Sequence, residues 1–186
     1  DGVATQVVAE GQSGTPVTAV VESASAVFHG WSDGSEANPR TDAEVMADLA
    51  VIASFLSQGG GDLDWYAARG IAPEGGEDWA DVDARAVPGK GTTYLHENVA
   101  DTDPDDTNDL FRVLSVSNGP PLTVQFQPGS TGRVYTFQYT DDLSDGESWS
   151  HVPGTEPRPG AGGVDGMSDS NAPPVRRNYR IQVEVP

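Results

Sequence analysis

Acidic side chains at regular spacing are the residues of this chain best suited to chemistry, and that chemistry is the binding of a divalent cation. Twelve-residue calcium loops carry oxygen ligands at positions 1, 3, 5 and 9, a glycine at position 6 and a glutamate at position 12. The residues with that ligand spacing are Asp101, Asp103, Asp105 and Asp109. Asp106 stands where the glycine is wanted and Arg112 where the glutamate is wanted. The half-matched pattern leaves two hypotheses, an ordered calcium ion or a solvated acidic turn.

A second twelve-residue stretch, which ends at Glu97, keeps the frame of a calcium loop and lacks its ligands. With Glu97 at position 12, Gly91 falls on position 6. Positions 1, 3 and 5 are then Ala86, Pro88 and Lys90, which carry no side-chain oxygen. This spacing raises the hypothesis that Lys90 stands where the cation would be and supplies positive charge without a metal.

Aromatic side chains are the other group that could bind a ligand. Indole rings stack on sugar rings when they are exposed and coplanar. The candidates for ligand stacking are Trp31, Trp65, Trp79 and Trp149. The alternative for each of them is a place in the hydrophobic core, where most tryptophans are highly buried.

The sequence favours a non-catalytic protein. His29, His96 and His151 lie far apart and have different neighbours, and no serine has the context of a nucleophile elbow. No glycine-rich loop that could cradle a phosphate precedes a helix. Carboxylate pairs could be drawn anywhere in so acidic a chain, so they indicate no particular reaction.

Charge and composition narrow the range of partners. With 29 acidic and 10 basic residues, the net charge is -19, which repels nucleic acid and anionic lipid. There is no cysteine, so stability must come from packing, with bound cations as an additional source. No apolar run approaches the length of a membrane span. We therefore expect no nucleic-acid partner and no membrane insertion.

The elements that would position these residues begin with a compact β unit over residues 26–55. Asp33 and Gly34 favour a turn after the first strand, and Asn38-Pro39 commits the next segment to extended geometry. Alternation over residues 49–55 predicts a strand with one buried face. The side chains expected in its core are Phe28, Trp31, Val51 and Phe55.

This β unit resembles the internalin-type B-repeat, also called the Listeria-Bacteroides repeat. The residues that carry the resemblance are FHGWSDG (28–34), NPRT (38–41), Val45 and VIASF (51–55). The run QVVAEGQSGTPVTAVV, residues 6–21, is similar to the strand, turn and strand that precede these motifs in the family. The resemblance covers about residues 1–57. It implies a β-grasp-like spacer repeat of secreted or surface proteins, without catalysis.

The resemblance also suggests a route to assembly. Repeats of this family usually open with one more strand before the segment that here starts at Gln6, and only five residues precede it. A sheet that lacks a strand exposes unpaired backbone groups, which can pair with another chain. The open edge is then filled by a neighbouring repeat or by a second copy. The alternative is a truncated fragment with a frayed end.

Residues 58–110 form the predicted acidic linker with two short helices. Residues 58–61, QGGG, indicate a hinge. Asp62 and Gly70 have the residue types of a helix start and stop, and a second helix is predicted from Thr92 or Thr93. The linker resembles those of large secreted proteins from Verrucomicrobia, in which a calcium loop leads to a helix ending Glu-x-x-Ala-(Gly/Asp)-Thr-Asp-Pro. The matching run here is ENVADTDP, residues 97–104.

Residues 111–186 are predicted to form an antiparallel β-sandwich. Four segments alternate apolar and polar residues: FRVLSVS, LTVQFQ, RVYTFQYT and YRIQVEV. Leu143 and Trp149 are expected between the sheets, and residues 152–174 form a long loop, either a binding loop or a surface excursion. The pattern YTFQYTDDL, then Trp149, then RNYRI resembles a fibronectin type III-like domain common in the same bacterial proteins.

The sequence thus predicts a mainly β fold, with a β-grasp-like repeat and an antiparallel β-sandwich joined by a short helical linker. Its expected function is that of a structural, adhesion or fibre-forming module of a secreted or cell-surface bacterial protein. Its partners would be neighbouring repeats or copies of the same protein. The alternative is a carbohydrate-binding accessory module of a secreted polysaccharide-degrading enzyme, with glycans as partners.

Overall fold

The computed structural model describes residues 5–117, 119–144, 148–172 and 177–186. The chain divides into two compact units, Asp1–Asp83 (unit 1) and Ala84–Pro186 (unit 2). Strands hold 30% of the chain and helices 11%, and several sheets are antiparallel, so the predicted mainly β class is confirmed. The finer division at residues 57 and 110 stays a prediction.

Unit 1 is built on a two-stranded antiparallel sheet. Strand β1 (Ala26–Trp31) pairs with β2 (Ala53–Ser57), with an irregularity in register between Phe28 and Gly30. The prediction of a strand from residue 49 is wrong for its first half. Ile52 is 70% exposed and exchanges hydrogen bonds with Ser32 of the turn after β1. Residues 49–52 are all apolar, so they do not distinguish a buried face from an exposed one. The strand begins only at Ala53.

The segment before β1 is extended without being a strand. Two isolated bridges, Gln12 to Val45 and Val17 to Arg40, join it to the segment after β1. The predicted strand, turn and strand over residues 6–21 is therefore wrong. The Gln6 side chain instead accepts from and donates to the backbone of Thr15, at 2.7 and 2.8 Å, which closes the segment locally.

Two short helices follow, α1 (Leu63–Ala68) in unit 1 and α2 (Trp79–Ala84), of which all but the last residue belongs to unit 1. The predicted caps of α1 are confirmed, since Asp62 accepts from two backbone amides at its start and Gly70 has a φ of +67°. The predicted hinge at residues 58–61 is a closed turn. The Gly61 amide donates to Ser57 Oγ at 2.8 Å, and the Gly61 carbonyl accepts from the Ser57 amide at 2.7 Å.

Unit 2 starts with helix α3 (Tyr94–Ala100) and continues as two sheets. Thr93 caps the helix, as predicted. The first sheet has the order β3-β4-β8, and in the second β5 pairs with β6, β7 and β9. The strands are β3 (Arg112–Val116), β4 (Leu122–Gln127), β5 (Val134–Thr140), β6 (Ser150–His151), β7 (Arg158–Pro159), β8 (Asp165–Asp169) and β9 (Asn178–Glu184).

The two sheets of unit 2 share one hydrophobic core, so the predicted sandwich is confirmed. Its buried members are Val124, Phe126, Tyr135, Phe137, Val152 and Met167. Two predictions about this unit are wrong. Leu143 is 57% exposed, and Met167 and Val152 are among the buried members of the core. The predicted long loop contains β7 and β8, so it supplies an edge strand of the first sheet; its last two residues lie outside the described ranges.

Candidate cation and ligand-stacking sites

The loop before α3 folds because two glycines allow backbone conformations that other residues rarely adopt. Gly89 has a φ of +77° and Gly91 of +72°. Across this turn the Val87 amide donates to the carbonyl of Thr92 at 2.9 Å. The chain then enters α3 at the Thr93 cap. As a result, Lys90 lies at the tip of a turn whose two ends are joined, and its side chain enters the unit.

The ammonium of Lys90 is fully enclosed and fully bonded. Its side chain has no exposed area. It donates to Oε2 of Glu97 and to the backbone carbonyls of Asp103 and Asp109, each at 2.7 Å. An ammonium has three N–H donors, so all of them are used. The hypothesis that Lys90 places positive charge in this loop is consistent with this geometry.

Glu97 is the acidic partner, and its side chain is only 2% exposed. Besides the ammonium, it accepts hydrogen bonds from two hydroxyls, Thr92 Oγ1 to Oε1 at 2.5 Å and Thr102 Oγ1 to Oε2. Both carboxylate oxygens therefore have partners, which come from the loop before α3 and from the turn after it. Buried charges persist in proteins when they are paired and hydrogen-bonded in this way.

The four aspartates of the acidic pattern are not brought together. Asp101 ends α3 in the left-handed region and accepts from Ser130 Oγ. The Asp103 carboxylate accepts from the Asp105 amide at 3.0 Å, and that of Asp109 accepts from the Asp103 amide at 2.8 Å. The carboxylates of Asp103 and Asp109 thus accept hydrogen bonds from backbone amides of the same turn. Asp103 and Asp109 meet Lys90 through their carbonyls.

A calcium ion at the four aspartates stays a prediction that this geometry does not favour. The ion takes six to eight oxygen ligands. Within the described ranges, no group of three or more His, Asp or Glu side chains could hold a metal ion. In the loop that ends at Glu97, the Lys90 ammonium already occupies the space among the carboxylate and carbonyl oxygens.

Two of the four stacking candidates are buried. Trp31 is 8% exposed, donates from Nε1 to the Ala37 carbonyl at 2.8 Å and lies under the Arg40 guanidinium. Trp65 is 6% exposed and meets Tyr66 edge to face. Neither ring presents an open face of the kind that sugar stacking needs.

Trp79 is half-buried, and one face of its ring is stacked on Tyr66 with centroids 5.6 Å apart. Tyr66 is itself fully buried and donates its hydroxyl to Asp83 Oδ1 at 2.7 Å. Burial, and secondly this bond, raises the pKa of Tyr66. Asp83 Oδ2 finds no hydrogen-bond donor among the described residues. Trp79 therefore belongs to an internal aromatic and acidic cluster.

Trp149 is the second half-buried stacking candidate. It precedes β6 in unit 2, is half-buried, and has the Arg180 guanidinium 4.4 Å from its ring centroid. Arg180 also donates to Gln138 Oε1 at 2.7 Å. Together they form a polar and aromatic strip, with Trp149 just before β6, Gln138 on β5 and Arg180 on β9. The stacking hypothesis stays a prediction, and Trp149 is its best-placed member.

No protein-family model, curated protein or solved structure matches the chain. The resemblances inferred from the motifs accordingly stay predictions. Across the described ranges the helices are too short and too polar to traverse a bilayer.

Several buried polar residues had no signal in the sequence. Arg40 is 6% exposed and binds the carboxylates of both Asp33 and Asp42. The bond from Arg40 lowers the pKa of Asp33. In unit 2, Arg158 holds Asp165 through two parallel bonds of 2.8 and 2.9 Å, which lower the pKa of Asp165. Each pair follows from tertiary packing, since nothing in the local spacing distinguishes it from surface charge.

Arg133 anchors the helix to the sandwich in unit 2. Its guanidinium is buried and donates to the carbonyls of Asn98 and Val99, near the end of α3. These carbonyls belong to the last turn of the helix, where no amide four residues further on continues the helical pattern, and that of Asn98 also accepts from the Asp101 amide. A cation at this end also interacts favourably with the helix dipole. The helix that the sequence assigns to a linker is thus hydrogen-bonded to the residue that precedes strand β5.

Proposed function

We propose that this chain is a non-catalytic structural module of a secreted or cell-surface protein, which assembles by strand pairing with a neighbouring repeat or a second copy of itself. The observation that supports it best is strand β3. In the described sheet, β3 is an outer strand, paired by β4 alone. All five of its residues are exposed.

The side chains of β3 favour contact with protein over water. Val113 and Val116 are each 52% exposed and Leu114 is 42% exposed, while the strand has one charged residue, Arg112. Natural proteins usually protect outer strands with several charges, with proline or with a covering element. An apolar outer strand is a template for strand addition. This edge, rather than the one predicted near Gln6, is the better-supported place for assembly.

The buried polar groups support a structural role as well. Lys90, Arg133 and Arg158 each bind chain segments to one another through described hydrogen bonds. Groups with such partners fix loops and helix ends. Secretion or surface display is proposed from the motif resemblances.

Sedimentation velocity of the full chain over a range of concentrations tests the assembly. We expect concentration-dependent association by the wild-type protein and its loss in Leu114→Lys, because a lysine on the outer strand opposes pairing. Leu143→Lys is the matched control, since Leu143 is also exposed but lies outside the strands. A wild-type protein that stays monomeric, or equal association by both variants, would contradict the proposal.

Carbohydrate binding is the second candidate, and the strip of Trp149, Arg180 and Gln138 is the observation that favours it. A half-exposed indole beside hydrogen-bonding groups is the kind of surface on which a sugar ring can stack. A glycan array with wild type, Trp149→Ala and the control Leu143→Ala tests it. Binding that is lost only in Trp149→Ala supports the candidate, and an empty array rejects it for the sugars presented.

A further inference from the structure

Lys90 is the only lysine in the chain, whose other nine basic residues are arginines. Lysine is almost never fully buried unless it is paired. Here the side chain has no exposed area and lies against a carboxylate that is 2% exposed. A role in solubility is excluded by that burial. The cation at residue 90 therefore acts inside the unit, and the chemistry of the neighbouring oxygens indicates which kind of cation they bind.

The oxygens around the ammonium are of the types that hard cations bind. Calcium sites in proteins are built from carboxylates and backbone carbonyls. Lys90 Nζ has one carboxylate oxygen, from Glu97, and two carbonyls, from Asp103 and Asp109, all at 2.7 Å. The carbonyls come from the turn after α3, and the carboxylate comes from the helix itself. One positive charge therefore fastens that turn to the helix.

The loop also has the frame of a twelve-residue cation loop. Counting back from Glu97 as position 12, Gly91 occupies position 6, where such loops need glycine. Its φ of +72° shows that the backbone makes the turn for which glycine is required. Ala86 and Pro88 bring no side-chain oxygen to positions 1 and 3, so a metal ion would lack ligands that an ammonium does not need.

We propose that the ammonium of Lys90 is the built-in cation of this loop. It replaces a bound metal ion, so that unit 2 folds without calcium, and removal of the ammonium leaves a pocket that requires a cation from solution. The charge is carried by the covalent chain and cannot be removed by a chelator. The module would then keep its shape in calcium-poor and calcium-rich surroundings alike.

The first test is thermal unfolding with EDTA or with calcium chloride at about 5 mM, a concentration on the order of that which weak extracellular sites need. Hydrogen exchange assigns the transition of unit 2. The wild-type midpoint should be the same in both. Lys90→Met should lower it by on the order of 10 °C, since Glu97 is left buried and unpaired. A calcium-dependent wild type, or a Lys90→Met protein as stable as wild type, would overturn the proposal.

Lys90→Asp tests the pocket directly, because it restores an oxygen ligand at position 5. We expect its midpoint to rise by several degrees with calcium over EDTA, and this gain to vanish in the double variant Lys90→Asp, Glu97→Gln. If Lys90→Asp folds and ignores calcium, the pocket is not a cation site. This result is independent of sedimentation behaviour, so it does not depend on the proposed assembly.

If the variants fail to fold, wild-type protein labelled with ¹⁵N-lysine still decides the matter. A single ammonium cross-peak with slow proton exchange is expected, unchanged by calcium or EDTA, because the three N–H groups are enclosed and bonded. Free lysine under the same conditions is the control for fast exchange. A signal that exchanges as fast as free lysine, or that moves on calcium addition, would overturn the proposal.

Discussion

Two buried carboxylates, one in each unit, are satisfied in different ways. Glu97 of unit 2 pairs with a buried ammonium and receives further hydrogen bonds on both oxygens. Asp83 of unit 1 receives one hydrogen bond, from the Tyr66 hydroxyl, and its second oxygen has no donor among the described residues. The first is paired with an opposite charge, and the second relies on a single neutral donor.

The difference shows what each acid contributes to its unit. A buried ion pair costs desolvation energy, and it becomes strongly destabilising when one partner is removed. Glu97 is therefore expected to be essential to unit 2, because Lys90 has no route to water. Asp83 carries the desolvation cost without a counter-charge, so unit 1 should tolerate its neutralisation. Substitutions at the two acids can separate these expectations.

Glu97→Gln should have the largest effect. The amide leaves the Lys90 ammonium buried without an opposite charge, and loss of one partner from a buried pair costs about 3–5 kcal/mol. We expect hydrogen exchange to show loss of protection in α3, with unit 1 unchanged. Glu184→Gln, at an exposed position of β9, is the control and should behave as wild type. If Glu97→Gln kept native hydrogen-exchange protection in α3, Glu97 would be as dispensable to its unit as Asp83 is expected to be.

Tyr66→Phe should have the next largest effect. It removes the only hydrogen bond that Asp83 has among the described residues and leaves a buried carboxylate without a partner, at a cost of about 1–3 kcal/mol. The ring still fills its site against Trp79, so a change in packing should not contribute. Loss of protection in α1, measured by hydrogen exchange, checks it. Tyr94→Phe in unit 2 is the control and should leave α1 unaffected.

The elements that the sequence predicted well are those with local signals. Asp62 and Thr93 were recognised as helix starts because capping depends on residues within one turn. Strands β4, β5 and β9 of the sandwich were recognised because one face of each packs on the core. Lys90 was recognised as a cation in a loop because the spacing of Gly91 and Glu97 restricts the turn. In each case the cause lies within about a dozen residues.

The elements that the sequence did not predict depend on distant partners. Strand β8 lies in a stretch rich in glycine, and it forms because β4 offers it an edge. Tyr66 and Asp83 lie 17 residues apart, and the chain contains many aspartates that look the same. The two carbonyls that bind Lys90 have no sequence signature at all, since every residue has a carbonyl.

Asp83→Asn tests the same comparison by removing the charge of the buried acid in unit 1. The amide oxygen can still accept from Tyr66, and the uncompensated charge is removed. We expect unit 1 to be unchanged or stabilised by up to about 1 kcal/mol, in contrast with the loss caused by Glu97→Gln. Urea unfolding followed by hydrogen exchange of α1 measures it. Asp48→Asn, at an exposed position of unit 1, controls for the change in net charge.

A clear destabilisation by Asp83→Asn would contradict this expectation. It would mean that the charge of Asp83 is used within unit 1. Oδ2 would then need a donor beyond those that the described residues provide.

Asp165 has a charged partner, but this partner is partly exposed, unlike Lys90. We expect the smallest effect at this acid. Its carboxylate is buried, but its partner Arg158 has a side chain that is 38% exposed, so solvent screens the pair. Because Arg158 lowers the pKa of Asp165, the folded state holds this proton less tightly than the unfolded chain does. The stabilisation is therefore present above the unfolded carboxyl pKa, near about 3.9, and is lost as pH falls through the lower folded value.

Acid titration of stability then tests whether an exposed partner makes a buried acid less important. We expect the free energy of unfolding of unit 2 to fall below about pH 4. Asp165→Asn should remove part of that slope, because it lowers stability modestly at neutral pH and makes no difference once the carboxyl is protonated. Glu156→Gln, an exposed carboxyl in the same unit, is the control. If Asp165→Asn were as damaging at neutral pH as Glu97→Gln, burial of the acid alone would decide its importance, and the enclosure of its partner would not.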